Sequence, residues 1–169
     1  LGVEHDEILR RMADLEPVAM RLEVKEGENN CLIVDDSYNS DSNSLSIAID
    51  FLTQQATQKQ NCKTLFLSDI LQTGVDAEQL YSSLAELLKE KKIDRFFGIG
   101  EKLMQHQSKI EIGEKYFYPN TETFLQEIGK YTFSNELILL KGARQFHFEK
   151  ISDKLSCVVH ETTLEVDLS

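Results

Sequence analysis

Four short, nearly unbroken apolar runs, Cys31-Leu32-Ile33-Val34, Thr64-Leu65-Phe66-Leu67, Phe96-Phe97-Gly98-Ile99 and Leu137-Ile138-Leu139-Leu140, are separated by segments whose apolar residues recur at helical spacing. A strand buried on both faces reads as a continuous apolar run, and a crossover between parallel strands takes a helix. The alternation therefore predicts an α/β chain, Rossmann-like and doubly wound, with a mostly parallel sheet between helices. An N-terminal hairpin should lead into it: Arg21-Leu22-Glu23-Val24 runs in, Lys25 to Asn30 turns, and Cys31 to Val34 returns.

Before the hairpin, Ile8, Leu9, Met12 and Leu15 repeat at helical spacing, and Glu16-Pro17 stops that helix. After Val34, the run from Asp35 to Ser44 reads as a polar loop, too charged for burial and rich in capping side chains such as Ser42 and Ser44. A helix with Leu45, Ile49 and Leu52 on its apolar face, a strand at 64–67 ending on Ser68-Asp69, and a helix from Ala77 to Lys91 follow. Then come a strand at 95–99, a short helix near 102–106, an edge strand at 116–118, a helix at 121–130 and a strand at 136–140. Lys141-Gly142-Ala143-Arg144 leaves that strand and opens a helix running to Ile151; the tail from Val158 to Leu168 alternates like a further strand with nothing after it to pair with.

With 169 residues, 41 % of them hydrophobic, the chain can bury one core of ordinary domain size. Its 18 Lys and Arg are outnumbered by 29 Asp and Glu, and the densest basic run, Lys89-Glu90-Lys91-Lys92, suits the end of a solvated helix, so no nucleic-acid partner is expected. No apolar run reaches the roughly 18 residues that span a bilayer, and the first residues carry no signal region. Cys31, Cys62 and Cys157 are far apart and read as reduced core residues of a cytoplasmic protein, with no metal site among them. The four histidines lack metal or triad spacing and read as surface or packing residues. No G-x-x-x-x-G-K-[ST] loop and no G-x-S-x-G elbow occurs, and Gly98-Ile99-Gly100 lacks the third glycine of a dinucleotide fingerprint, which leaves it a turn. Tyr116, Phe117, Tyr118, Phe146 and Phe148 read as core or edge contacts.

Ligands of an open parallel sheet sit beyond the carboxyl ends of its strands, where helix N-termini and loops converge. Three polar clusters fall there: Asp35-Asp36-Ser37-Tyr38-Asn39, Ser68-Asp69 and Lys141-Gly142-Ala143-Arg144. Helix capping does not account for two adjacent acids beside Tyr38 and Asn39, so that cluster is the first functional candidate. Taken in order, Pro17 to Glu23 with its Arg21-Leu22-Glu23, then Asp35-Asp36-Ser37-Tyr38-Asn39, then Leu67 to Gly74, then Leu140 to Arg144 resemble the C-terminal domain of the Mur ligases. Within that family the pattern is closest to the branch that joins D-alanyl-D-alanine to UDP-N-acetylmuramoyl tripeptide. The sequence departs from it at Ser68, where glycine is usual, and at Gln72-Thr73, where Glu-Leu is.

The resemblance implies that residues 1–19 end an upstream ATP-binding central domain, that 20–155 form the C-terminal domain, and that 156–169 are a linker and the first strand of an alanine racemase domain. Such ligases transfer the γ-phosphate of ATP to a carboxylate with magnesium present, and an amine then displaces the acyl phosphate. The C-terminal domain closes over the nucleotide. Arg21 would neutralise phosphate charge, Asp36 would hold the ribose hydroxyls, and Tyr38 and Asn39 would flank the nucleotide. Arg144, with Lys141, Asp69 and Ser40, would take the incoming D-alanyl-D-alanine. No catalytic residue and no metal ligand is assigned to this stretch of chain, and pyridoxal phosphate enters only with a downstream racemase. The rival expectation is a receiver-like phosphoacceptor domain, whose acid pair, middle-strand aspartate and late-strand lysine are imitated by Asp35-Asp36, Asp69 and Lys141. A third is an interaction domain whose acidic loop is merely solvated.

Overall fold

The computed structural model describes residues 22–37, 41–71 and 74–156. The expected helix at 5–15 and the strand from Val158 lie outside the described residues, as do Arg21, Tyr38, Asn39 and Ser40. The chain runs β1 (Glu23–Glu26), β2 (Leu32–Asp36), α1 (Ser42–Gln54), β3 (Cys62–Ser68), α2 (Ala77–Glu90), β4 (Arg95–Ile99), α3 (Glu101–Gln105), β5 (Glu114–Tyr118), α4 (Thr121–Glu127), β6 (Glu136–Lys141) and α5 (Glu149–Leu155). The six strands form one sheet in the order β1-β2-β6-β3-β4-β5. β1 is antiparallel to β2 and every other pairing is parallel, so the expected doubly wound sheet with an N-terminal hairpin is present.

Alternate strand residues feed two apolar layers. Val34, Leu65, Leu67, Phe96, Leu137 and Leu139 meet α1, α2 and α3 on one face, through Leu45, Ile49, Leu52, Leu84, Leu88 and Leu103. Ile33, Phe66, Phe97, Ile99, Ile138 and Leu140 meet α4 and α5 on the other, through Phe124, Phe148 and Ile151. Phe66 and Phe97 stack at 4.4 Å with Phe124 edge-on to both, and, as expected, Tyr118 and Phe148 lie in the core while Tyr116, Phe117 and Phe146 pack against it.

Several elements differ from expectation. The hairpin turn lies later, at 27–31, because Asn29 and Asn30 both take left-handed backbone, with φ of 56° and 64°, and Gly27 N–H bonds the Cys31 carbonyl. β2 continues through Asp35 and Asp36, which are buried rather than solvated in a loop. The helix after β6 is interrupted: Lys141 is still strand, Arg144–Phe146 make a 3-10 turn, His147 turns left-handed at φ 55°, and α5 begins at Glu149. The cap of α1 is also Asp41 rather than a serine, its carboxylate accepting from Ser44 N–H at 2.9 Å.

Gly98 and Gly100 are not one turn. Gly98 is inside β4, where the Phe117 ring leaves no room for a Cβ, and Gly100 joins β4 to α3. Gly100 has φ 145° and ψ 154°, a region reserved for glycine, and a Cβ there would lie 2.3 Å from the Asp69 carboxyl carbon. Gly100→Ala should therefore lower the unfolding free energy by about 1–3 kcal/mol or more. Gly113→Ala, whose Cβ meets nothing within 4 Å, should stay within about 0.5 kcal/mol; urea midpoints of the two variants check this.

Candidate functional site

β2 and β3 are consecutive in sequence, yet β6 lies between them. This is the reversal of strand order at which crossover loops part and open a crevice at the carboxyl ends. Register brings the three polar clusters to that rim: Asp36 is level with Lys141, Leu67 is level with Lys141 from the other side, and Ser68 is level with Ile99.

At the centre, Lys141 Nζ lies 2.9 Å from Asp36 Oδ2, with the lysine side chain 0 % exposed and the aspartate 6 %. Both project to the face of Val34 and Leu139, since residues two apart on a strand share a side. Burial pushes the Asp36 carboxyl above its ordinary value, and the Lys141 charge and hydrogen bond oppose this. Asp35 points to the opposite face. Lys25 Nζ bonds Ser152 Oγ at 2.7 Å and Asp35 Oδ2 at 3.3 Å, while Ser37 Oγ donates to Asp35 Oδ1 at 2.6 Å. The adjacent acids thus serve two separate networks on two faces of the sheet.

The Ser68-Asp69 cluster is occupied structurally. Asp69 accepts the N–H groups of Leu103 at 2.9 Å and Lys102 at 3.2 Å, one on each carboxylate oxygen, and so ties β3 to the start of α3. Burial raises its pKa, against the pull of those two amides. Ser68 Oγ donates to the Asp69 carbonyl and accepts Ala143 N–H at 2.9 Å, pinning the loop after β6, which a glycine at 68 could not do. Gly142 lets the Phe148 ring pack beneath that loop, since a Cβ would lie 2.6 Å from it.

Of the residues expected to take the second substrate, Arg144 is exposed at the rim, Lys141 is sealed against Asp36, and Asp69 is engaged at α3. In this arrangement the Lys141 ammonium is closed to an incoming carboxylate, and Arg144 lies at the surface. Sequence reading missed Lys25, Asp41 and Ser152. Lys25 and Ser152 are 127 residues apart and become neighbours only through the fold; the Asp41 cap is signalled locally, by Ser44 three residues on. The expectation of a merely solvated acidic loop fails, because both acids are buried in the sheet. Cys31 and Cys62 are free thiols raised by burial, and His106 stacks on Tyr81 with centroids 4.5 Å apart. Among the described residues no three His, Cys, Asp or Glu converge as metal ligands, and no helix is long and apolar enough to cross a membrane.

No protein-family model matches the chain. It is similar to the UDP-N-acetylmuramoyl-tripeptide–D-alanyl-D-alanine ligases of Bacillus subtilis (strain 168) and Escherichia coli (strain K12), 25 % identical over 157 and 154 residues. These alignments cover 89 % of this chain but 33 % and 32 % of the relatives, so the chain spans about a third of their length. Among solved structures it resembles MurF from Acinetobacter baumannii, with a TM-score of 0.63 and 22 % identity, over 80 % of this chain and 29 % of that one. It also resembles the MurF ligase from Thermotoga maritima in complex with ADP, with a TM-score of 0.59 and 18 % identity, over 79 % and 29 %. The resemblance to the C-terminal domain of these ligases therefore stands, in sequence and in fold.

The geometry of Asp69 has a measurable consequence. Removing its carboxylate in Asp69→Ala leaves the α3 amides without their acceptor and should cost about 1–3 kcal/mol in urea unfolding. Because the native pKa is raised, the acid's own contribution is fully present below the ordinary value of 3.8 and is lost as pH rises through the native value. The stability gap between the wild type and Asp69→Asn should accordingly be smaller at pH 7 than at pH 4.

Proposed function

We propose that this chain is the C-terminal domain of an ATP-dependent amide-bond ligase that adds D-alanyl-D-alanine to UDP-N-acetylmuramoyl tripeptide in the synthesis of peptidoglycan precursors. The observation that carries this reading is the match, over nearly the whole chain, to a third of ligases bearing that name. The convergence of the Asp36 and Arg144 clusters on one carboxyl-end rim supports it. On this reading the enzyme is cytoplasmic, and its partners are ATP, the nucleotide-linked tripeptide, the dipeptide and the upstream domains of its own chain.

In the proposed mechanism the domain closes over ATP bound upstream. Asp36 is an acceptor held at the end of a rigid strand, suited to ribose hydroxyls. Arg21, outside the described residues, is assigned the phosphate charge, with Tyr38 and Asn39 beside the nucleotide. Arg144 presents its guanidinium at the exposed rim, suited to bidentate pairing with the dipeptide carboxylate; Ser40 is assigned the same substrate and also lies outside the described residues. Magnesium is left to the upstream part of the ligase. Asp69 speaks against the receiver-like alternative, since a phosphoacceptor needs an accessible oxygen and here both accept helix amides.

Phosphate release from ATP that depends on both the tripeptide precursor and D-alanyl-D-alanine should appear in the full-length ligase and be absent from residues 1–169 alone. Turnover by this chain alone would overturn the reading. Incubated with acetyl phosphate and magnesium, the chain should keep its intact mass, whereas a receiver would gain one phosphoryl group.

In the full-length ligase, Arg21→Ala should lower kcat more than it raises KM for ATP, because phosphate charge is redistributed as the γ-phosphoryl transfers. Asp36→Asn should mainly raise KM for ATP, by roughly 10- to 150-fold for one charge-assisted bond. Steady-state kinetics in which both variants stay within about twofold of wild type, far below that bond's worth, would remove the nucleotide-closing role.

A further inference from the structure

Lys141 is the last residue of β6, the strand at the switch point, and its side chain runs on the face of Val34 and Leu139 to Asp36. A lysine with no exposed surface is uncommon unless it is paired, since the ammonium gives up its hydration. Here its charge lies 2.9 Å from Asp36 Oδ2, between two strands whose register makes the two residues level. Three consequences follow for the carboxylate. Its rotation is fixed, because one oxygen is held by a group anchored in the neighbouring strand. Its ionised form is supported by the Lys141 charge and hydrogen bond, which oppose the burial that raises its pKa overall. An ionised carboxylate is acceptor-only, which is the state that can receive the O–H groups of a diol, whereas a protonated one spends an oxygen as a donor.

We propose that Lys141 is a positioning residue for nucleotide recognition: it grips one oxygen of Asp36 and so orients the carboxylate that accepts the ribose hydroxyls, without itself touching the dipeptide. This rests on the reading of Asp36 as the ribose acceptor. It gives the Lys141-Gly142-Ala143-Arg144 segment two tasks, with the lysine supporting the nucleotide side from within the sheet and Arg144 facing the rim.

The test uses the full-length ligase and two nucleotides, ATP and 2′,3′-dideoxy-ATP, which differ only in the hydroxyls at issue. Wild type should favour ATP by about tenfold or more in kcat/KM. In Lys141→Met, which keeps the apolar stem, that preference should fall toward unity, with kcat/KM for the dideoxy nucleotide within about threefold and KM for D-alanyl-D-alanine within about twofold of wild type. A purely structural role would lower activity with both nucleotides alike and leave the preference intact, which would overturn the proposal. A large rise in KM for the dipeptide with the preference unchanged would also overturn it. No preference in wild type would instead remove the ribose reading beneath it. Should Lys141→Met fail to fold, a crystal structure of wild-type ligase with a non-hydrolysable ATP analogue decides. Asp36 bridging Lys141 and a ribose hydroxyl supports the proposal. Ribose on Asp36 with Lys141 withdrawn overturns it, and no nucleotide contact at Asp36 overturns the ribose reading.

Discussion

The fold depends on the two ion pairs that end β6. All six residues of this strand are buried, and it opens on Glu136 and closes on Lys141. At the amino end Glu136 accepts from Arg95 Nη1 at 2.9 Å and from the Thr64 hydroxyl, across two neighbouring strands. At the carboxyl end Lys141 meets Asp36. The four apolar residues between them, Leu137 to Leu140, would fill the sheet in either register. A slip by one residue would turn both charges to the wrong face, taking Glu136, Asp36 and Lys141 from these ion pairs and leaving Arg95 with Glu114 alone, at a cost of several kcal/mol for each broken pair. Hydrophobic burial explains why β6 is in the sheet, and the terminal charges explain why it is there in this register.

The two ends of the sheet then diverge in character. Arg95 is enclosed by Phe97, Tyr131 and Phe133, with its guanidinium carbon 4.8 Å from the centroid of Phe133, and it also lies 3.1 Å from Glu114 through Nε. At that end the aromatic residues cover the Arg95 guanidinium. At the carboxyl end each polar cluster ties down a distant segment or a neighbour: Asp69 holds the start of α3, Ser68 holds Ala143, and Asp35 binds Lys25 of β1 and Ser37. A rim built on strand ends in this way offers a ligand positions set by the sheet rather than by loops.

The sheet was legible because both-face burial writes itself as apolar runs, and β4 and α2 lie within a residue of where periodicity puts them. Asp35 and Asp36 were misplaced because their charge argues for solvent, while of the partners that permit burial Lys25 reads as turn rather than strand and Lys141 is over a hundred positions away. The split after β6 was illegible for a similar reason, since neither the Phe148 ring packed against Gly142 nor the left-handed turn at His147 is announced by any period. Residue type located the rim clusters. It could not show that Asp69 would be spent on helix amides, or that Lys141 would face inward, because either side chain could as well reach a ligand until the strand order is known.

The paired acids also answer an electrostatic difficulty. The chain carries a formal charge of -11, which opposes the close approach of a polyphosphate, salt screening that repulsion beyond roughly 8 Å. Two adjacent carboxylates at the rim would add to that repulsion where the proposed nucleotide must approach. Lys25 on one face lies 3.3 Å from Asp35 and Lys141 on the other lies 2.9 Å from Asp36, so each acid is met by its own counter-charge. Arg144 is exposed at the same rim. Neutralising the acids from inside the sheet, rather than replacing them with amides, preserves groups that can accept without donating, and this is what recognition of a diol beside an anion demands.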